Sequence, residues 1–334
     1  MAVIGASLTL LVETGAPVSD DDVAATPPAA EPPAAEPPAA EPPAAEPPEP
    51  VEPDQAWSLD RVDDPPRTVV QDTDGNWIAT FTDDASTVLI AGPERSFDEP
   101  TATNAVTTEA WVRLLPGPFD GDVDATWLEA ARADTEPDVL EVAMQYLDGA
   151  PQIREEDGTL IAGEASYGPL RPDGTRAVGS DWHDYRGVDA DYGHLIDPAD
   201  PEEYGALDCS GYTRTVYGAR LEVSMSLRPD GGTSLPRRSF EQAAEAPGVV
   251  PISDGELDVG RLQAGDLVFF DLGEARARID HVGIYLGEDA GGDHRFLHSR
   301  PTADGPTMGG DDHGPSILNG AGLYAEGFVS TRRL

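Results

Sequence analysis

Between residues 57 and 115 the apolar positions come in short runs separated by turn residues. TVVQDTDGNWIATFTDDASTVLIAG reads as a small β-meander with a hairpin turn at Asp74-Gly75, and residues 107–115 (TTEAWVRLL) read as a further strand. The period then lengthens. Asp124 precedes ATWLEAAR as a capping residue, and Thr135 is the N-cap expected for a second helix with Pro137 in its first turn. Val139, Val142, Ala143 and Tyr146 form the apolar stripe of that helix, and Gly149 ends it. Residues 150–206 lose periodicity and are rich in Gly, Asp and Pro, the pattern of a functional loop or insertion. Residues 207–218 return to helical spacing. Four short apolar runs, 267–271, 281–286, 296–299 and 327–332, then read as strands. Helices followed by a run of strands give an α+β fold.

Ahead of this lies a different composition. Residues 2–12 (AVIGASLTLLV) are too short to span a bilayer but match the apolar core of a secretory signal, so residues 1–22 are expected to be a truncated signal or an anchor. From Pro27 the pentapeptide PPAAE repeats four times. Proline fixes φ and glutamates repel, so residues 23–56 are expected to be a disordered, extended spacer, with Pro27–Pro53 reaching about 80 Å at ~3.1 Å per residue. The organisation expected is therefore a leader (1–22), a linker (23–56), a small β-rich region (57–120) and a main domain (121–334) carrying an insertion at 152–206. The β-rich region is expected to pack on the main domain rather than to act as a wall-binding module.

Charge removes whole classes of chemistry. The chain has 21 basic residues, all Arg, against 63 acidic ones, for a net charge of -42. Without Lys there is no phosphate-loop lysine, no Schiff-base lysine and no Ser-x-x-Lys nucleophile. The negative field opposes nucleic acid and anionic membranes, so no nucleic-acid partner is expected. The single cysteine excludes an internal disulfide, a Cys-rich zinc site and a C-x-x-C redox pair. Asp72-Thr-Asp-Gly places its glycine too early for a calcium loop, and neither metal nor cofactor is expected.

The lone Cys209 follows Asp208, a good N-cap, and so falls at a helix N-terminus, where unpaired amides and the helix dipole favour a thiolate. A nucleophilic thiol needs a base. Among six histidines, His281 begins HVGIYLG and His298 ends RFLH, with the turn-forming EDAGGD between them. A hairpin pairing Gly287 with Gly292 sets His281 directly opposite His298, one as base and the other fixing its tautomer. His294, near the loop tip, is the alternative third member, while His183, His194 and His313 read as polar surface residues.

Asp208-Cys-Ser-Gly211, LQAGDLVFF at 262–270 and Asp280-His-Val-Gly-Ile-Tyr-Leu-Gly287, in this order, resemble the NlpC/P60 family of cell-wall cysteine endopeptidases. Leu235-Pro-Arg-Arg-Ser239 and the final GFVSTRR add to the likeness, which covers about residues 135–334. The resemblance implies a papain-like fold, a nucleophile helix packed on an antiparallel sheet, and hydrolysis of peptidoglycan stem peptides between D-γ-glutamyl and a diamino acid. It assigns Cys209 as nucleophile, His281 as base and His298 as third member, and puts Asp208 and Ser210 where the family recognises a free amine. The family's Tyr-x-Trp-Gly-Gly segment is missing, and Tyr185 or Tyr167 is expected to replace its tyrosine, Tyr185 being taken as the substrate-binding residue. The expected protein is a monomeric, secreted or cell-envelope enzyme. The alternatives are an amidase or acyltransferase on the same fold, or a wall-binding protein without catalysis.

Overall fold

The computed structural model describes residues 57–100, 104–253, 255–273, 278–309 and 314–334. The expected leader and linker, and His313, lie outside them. Two five-stranded antiparallel sheets organise these residues.

The first sheet is a meander in chain order: β1 (Trp57–Asp63), β2 (Pro66–Asp72), β3 (Trp77–Thr82), β4 (Thr87–Phe97) and β5 (Val106–Leu114). The turn at Asp74-Gly75 is where the dipeptide predicts it: the Asp72 carboxylate accepts from the N–H groups of Asp74 and Asn76, and Gly75 takes a positive φ. Helix α1 (Ala125–Ala133) is capped by Asp124, whose carboxylate accepts from Thr126 and Trp127. Its Leu128 is buried with Val70, Phe81, Val88, Ile90 and Phe119. α1 therefore packs with the first sheet, and residues 57–334 belong to one compact unit.

Helix α2 (Val139–Met144) begins later than its sequence suggests, because Asp138 rather than Thr135 is the N-cap and forms a capping box with Glu141. Residues 152–206 contain two small hairpins, β6 (Ile153–Arg154) with β7 (Leu160–Ala162) and β8 (Ala190–Asp191) with β9 (Ile196–Asp197). Between them lies helix α3 (Trp182–Arg186). Helix α4 (Cys209–Arg214) continues as π-helix through Thr215–Arg220, and helix α5 (Ser239–Glu245) follows.

The second sheet is built from β10 (Leu267–Phe270), β11 (His281–Glu288), β12 (His294–Arg300), β13 (Gly305–Thr307) and β14 (Phe328–Arg332), in the order β13-β12-β11-β10-β14. Short helix α6 (Leu323–Gly327) precedes β14. One face buries Val282, Ile284, Leu286, Leu297, Leu267 and Phe269 against α2 and α4. The other buries Val268, Phe270, Tyr285, Phe296, Leu318, Tyr324 and Phe328. Covering both faces explains why LVFF and HVGIYL read as continuous apolar runs rather than as alternating ones. The result is the α+β arrangement expected, with the cysteine helix packed on the sheet that carries His281.

The two sheets meet through the C-terminal strand. The Leu334 carbonyl accepts from the N–H groups of Ser86 and Thr87. Arg333, buried, pairs with Asp266 at 2.8 Å and donates to Thr82 Oγ1 at 2.9 Å. Removing one member of a buried ion pair leaves the other charge uncompensated. Arg333→Met is expected to lower unfolding free energy by about 3–5 kcal/mol in urea titrations. Adding Asp266→Asn should recover part of that loss; no recovery would show that the uncompensated buried charge is not what the substitution costs.

Candidate active site

Cys209 opens α4, and what holds this turn in place is charge. The Asp208 carboxylate accepts from the Gly211 N–H at 2.7 Å, from the Gly179 N–H at 3.1 Å and from the Ser210 hydroxyl at 3.2 Å. Arg237 donates to both Asp208 oxygens (3.1 and 2.8 Å) and to Ser210 Oγ (2.7 Å). Behind them Arg214 donates through Nε to Asp181, at 3.0 Å to the nearer oxygen, with both side chains buried. A Cβ on Gly211 would lie 2.2 Å from the Ser180 carbonyl oxygen, so glycine is what lets α4 sit against the 180–181 backbone.

The electrostatics of Cys209 differ from those expected of a helix start. Burial, reinforced by Asp208, pushes the thiol up to about 12 despite Arg237 and the N–H groups of Val282 and Ser210. A six-residue helix start does not offset removal from water, so the resting group is a thiol and not the thiolate that the dipole argument favours.

Val282 follows His281 on β11, which brings the sulfur beside the strand that carries the base. His281 Nε2 lies 2.5 Å from His298 Nδ1, and His298 Nε2 lies 2.7 Å from the hydroxyl of buried Ser316. The rings are nearly perpendicular at 4.8 Å. Tyr324 packs against both, with centroids 5.8 and 4.7 Å away, and Phe270 and Phe296 complete the enclosure. Burial drives His281 down to about 3, with repulsion from Arg300 adding to it. His298 is held well below its ordinary value by burial, His281 and Arg300. With both rings neutral the chain admits two proton orders, and the one that suits a base has Nε2–H of His281 donating to Nδ1 of His298 and Nε2–H of His298 donating to Ser316 Oγ. His281 Nδ1 then keeps its lone pair, as a general base requires.

The hairpin register differs from the expected one. Ile284 pairs with Leu297, and Glu288 with His294, across a bulge between Tyr285 and Gly287. His281 and His298 are thus diagonal rather than directly opposite. They remain on one face because the shift beside them is an even number of residues. His294 turns elsewhere, its Nδ1 2.6 Å from the Tyr285 hydroxyl.

Other expected site residues change role. Asp208 and Ser210 border the cleft that contains Cys209, but Arg237 and the surrounding donors occupy their polar atoms. The Asp208 carboxylate thus enters the cleft already paired with Arg237. Tyr185 is fully buried, edge-on to Tyr146 with its hydroxyl donating to the Gly163 carbonyl, and belongs to the core. Tyr167 is the tyrosine near the nucleophile, its hydroxyl pushed up by burial and by Cys209 and Asp208. His183 is buried beside Asp184 rather than at the surface, whereas His194 is exposed. Sequence reasoning missed Ser316, Tyr324 and Arg300; the first two lie in a stretch without periodicity or motif, and Arg300 ends β12 with no local signal for its role. Arg237 lay within a quoted motif, without a signal for its partner.

A helix-borne cysteine beside a strand-borne, hydrogen-bonded histidine pair is the arrangement of a cysteine hydrolase of papain-like design. Residues 199–308 match the model of the NlpC/P60 family. The chain is similar to the gamma-D-glutamyl-L-lysine dipeptidyl-peptidase of Bacillus subtilis, 36% identical over 96 residues that cover 29% of this chain and 24% of the relative. It is also similar to the Bacillus cereus protein of the same name, 30% identical over 93 residues, covering 28% of this chain and 21% of that one. The chain thus spans about a quarter of the length of these curated relatives. A solved NlpC/P60 family protein from Bacillus cereus aligns over 82% of this chain and 78% of its own, at 18% identity and a TM-score of 0.28.

The buried histidines make stability depend on pH in a defined direction. Their folded values lie below the ordinary 6.5, so the unfolded chain binds more protons in acid. This contribution is complete above about 6.5 and is lost as pH falls toward about 3. Thermal midpoints of the wild type are expected to fall more steeply across that window than those of His298→Asn; parallel curves would contradict neutral burial.

Proposed function

We propose that this protein is a peptidoglycan-hydrolysing cysteine peptidase acting on the γ-D-glutamyl–diamino acid bond of stem peptides, with an exported or cell-envelope location. The observation that carries the reading is the Cys209 thiol at a cleft, beside the strand whose first residue, His281, is hydrogen-bonded to His298. The names of the two Bacillus relatives support the bond, and the short apolar segment at 2–12 supports export.

The chemistry follows from the resting protonation states. Thiol and imidazole are both neutral, so the proton moves from Sγ to His281 Nδ1 as the sulfur attacks the carbonyl carbon. The backbone N–H of Cys209 helps hold the oxyanion. Imidazolium charge that develops on His281 is shared through His298 to Ser316. His281 then returns the proton to the departing amine, leaving a thioester. Water, deprotonated by the same histidine, attacks the thioester and releases the carboxylic acid and the thiol.

Digestion of purified peptidoglycan, with products identified by mass spectrometry, tests the reading. Wild type is expected to release fragments ending in γ-D-glutamate, and Cys209→Ala to release none. Equal release by both would exclude the cysteine mechanism, and release by neither would favour a wall-binding role. Turnover should fall about 100-fold or more in His298→Ala, within the usual range for loss of acid–base assistance. It should change little in His294→Ala; the reverse order would reassign the third member.

A further inference from the structure

Two cavities flank the dyad and divide it between them. One, of about 370 Å³, is lined by Cys209 but not His281. The other, of about 440 Å³, is lined by His281 but not Cys209. In acyl transfer the attacked carbonyl lies at the sulfur, and the departing amine lies at the imidazole that protonates it. The His281 cavity therefore receives the amine half of the substrate.

That cavity is largely apolar, with Leu272, Pro301, Ile317, Leu323 and Tyr324 in its wall, and Arg300 is the cation among its lining residues. Arg300 is 4% exposed. Its Nη2 donates to the Gly314 carbonyl at 2.8 Å, and its guanidinium lies 5.9 Å from the Tyr324 ring centroid. Its Nε has no hydrogen-bond partner. Among the described residues no carboxylate forms an ion pair with it, although ten other arginines of this acidic chain, Arg333 and Arg214 among them, do have such partners. A buried cation without a counter-ion is costly, and a ligand that brings a carboxylate removes that cost.

We infer that Arg300 is the carboxylate-binding residue of the leaving-group subsite, and that the preferred substrate carries a free carboxylate on the residue whose amine departs. The inference rests on the peptidase reading above and deepens it. Guanidinium and carboxylate pair in a planar, two-bond geometry, which fixes the departing residue while the apolar wall accommodates its methylene chain. The enzyme is therefore selective for an unamidated amino acid on the leaving side, with Arg300 as the residue that reads it.

The test uses L-alanyl-γ-D-glutamyl-L-lysine and the same peptide with its C-terminal carboxylate converted to a carboxamide. For wild type, kcat/KM is expected to be about 10- to 100-fold lower on the carboxamide, the usual range for losing a charged hydrogen-bond pair. Arg300→Gln should abolish the difference and Arg300→Lys retain part of it. Equal cleavage of both peptides by wild type would overturn the inference, independently of how any variant folds. Calorimetric binding of both peptides to Cys209→Ala separates this inference from the peptidase reading. Tighter binding of the acid by a similar factor, lost in Cys209→Ala with Arg300→Gln, upholds Arg300 even if neither peptide is cleaved, in which case the peptidase reading falls alone. Equal binding of the two peptides, or binding of neither, overturns it.

Discussion

Two arginines and two aspartates fix the position of the nucleophile. Arg214 and Arg237 both reach Asp181, and Arg237 goes on to Asp208, the cap of the cysteine helix. Its α-helical part is only six residues long before it passes into π-helix, and so short a segment has little stability of its own. Its register against the 180–181 backbone is set by these charges and by the absence of a side chain at Gly211. Arg214 also donates to the carbonyls of Ser226 and Leu235, so the segment leading to Arg237 is held from the same point. An apolar core could hold the helix as firmly, since a buried ion pair is not intrinsically stronger than good packing. What the ions add is direction, because a bidentate guanidinium permits few arrangements of its partners.

Rigidity of this kind has an electrostatic consequence at the dyad. Enclosing His281 and His298 among Phe270, Phe296 and Tyr324 orders the rings but strips them of water, and this disfavours their cationic forms. The same burial keeps Cys209 protonated. The histidine pair is ordered, and neither it nor Cys209 rests in its charged form. Charge separation then depends on what the substrate brings, including the carbonyl oxygen that takes up negative charge near the helix start. Arg300 opposes a positive His281, and among the described residues no carboxylate pairs with it. A substrate carboxylate beside it would reduce that opposition, coupling recognition of the leaving group to the basicity of the histidine.

Much of this was legible in the sequence where chemistry and local geometry coincide. Cys209 behind a capping aspartate, His281 at the head of an apolar run and His298 on the following strand are all local signals. The α+β order of elements follows from periodicity. What was not legible depends on contacts distant in sequence. The hairpin register fails at Gly287, where φ is positive and a Cβ would lie 2.9 Å from Val106 Cγ1; the first sheet crowds this point and a bulge results. Asp208 looks like a free carboxylate until Arg237 is brought to it from 29 positions away. Tyr185 and Tyr167 have no local feature that separates them, and only packing on Tyr146 places Tyr185 in the core.

The distribution of charge gives the acidic composition a narrower meaning. With 63 acidic against 21 basic residues, most of the surface repels anions, and stem peptides that carry free carboxylates are anions. The cleft around Cys209 is bordered by Arg237, Arg238 and Arg278 together with Asp208 and Asp280, and the cavity beside His281 by Arg300. Arg237 is spent on Asp208 and Asp181. Arg238 and Arg278 are exposed, and Arg278 lies over the Phe240 ring. A net charge of -42 would slow the approach of the proposed anionic substrate, and the arginines gathered at the cleft reduce that repulsion locally. Because exposed charges are screened over about 10 Å at 0.1 M salt, the distant acidic surface matters less to a bound substrate than these few arginines. The acidity of the chain and an anionic substrate are therefore compatible, provided that the arginines stay where the fold has gathered them.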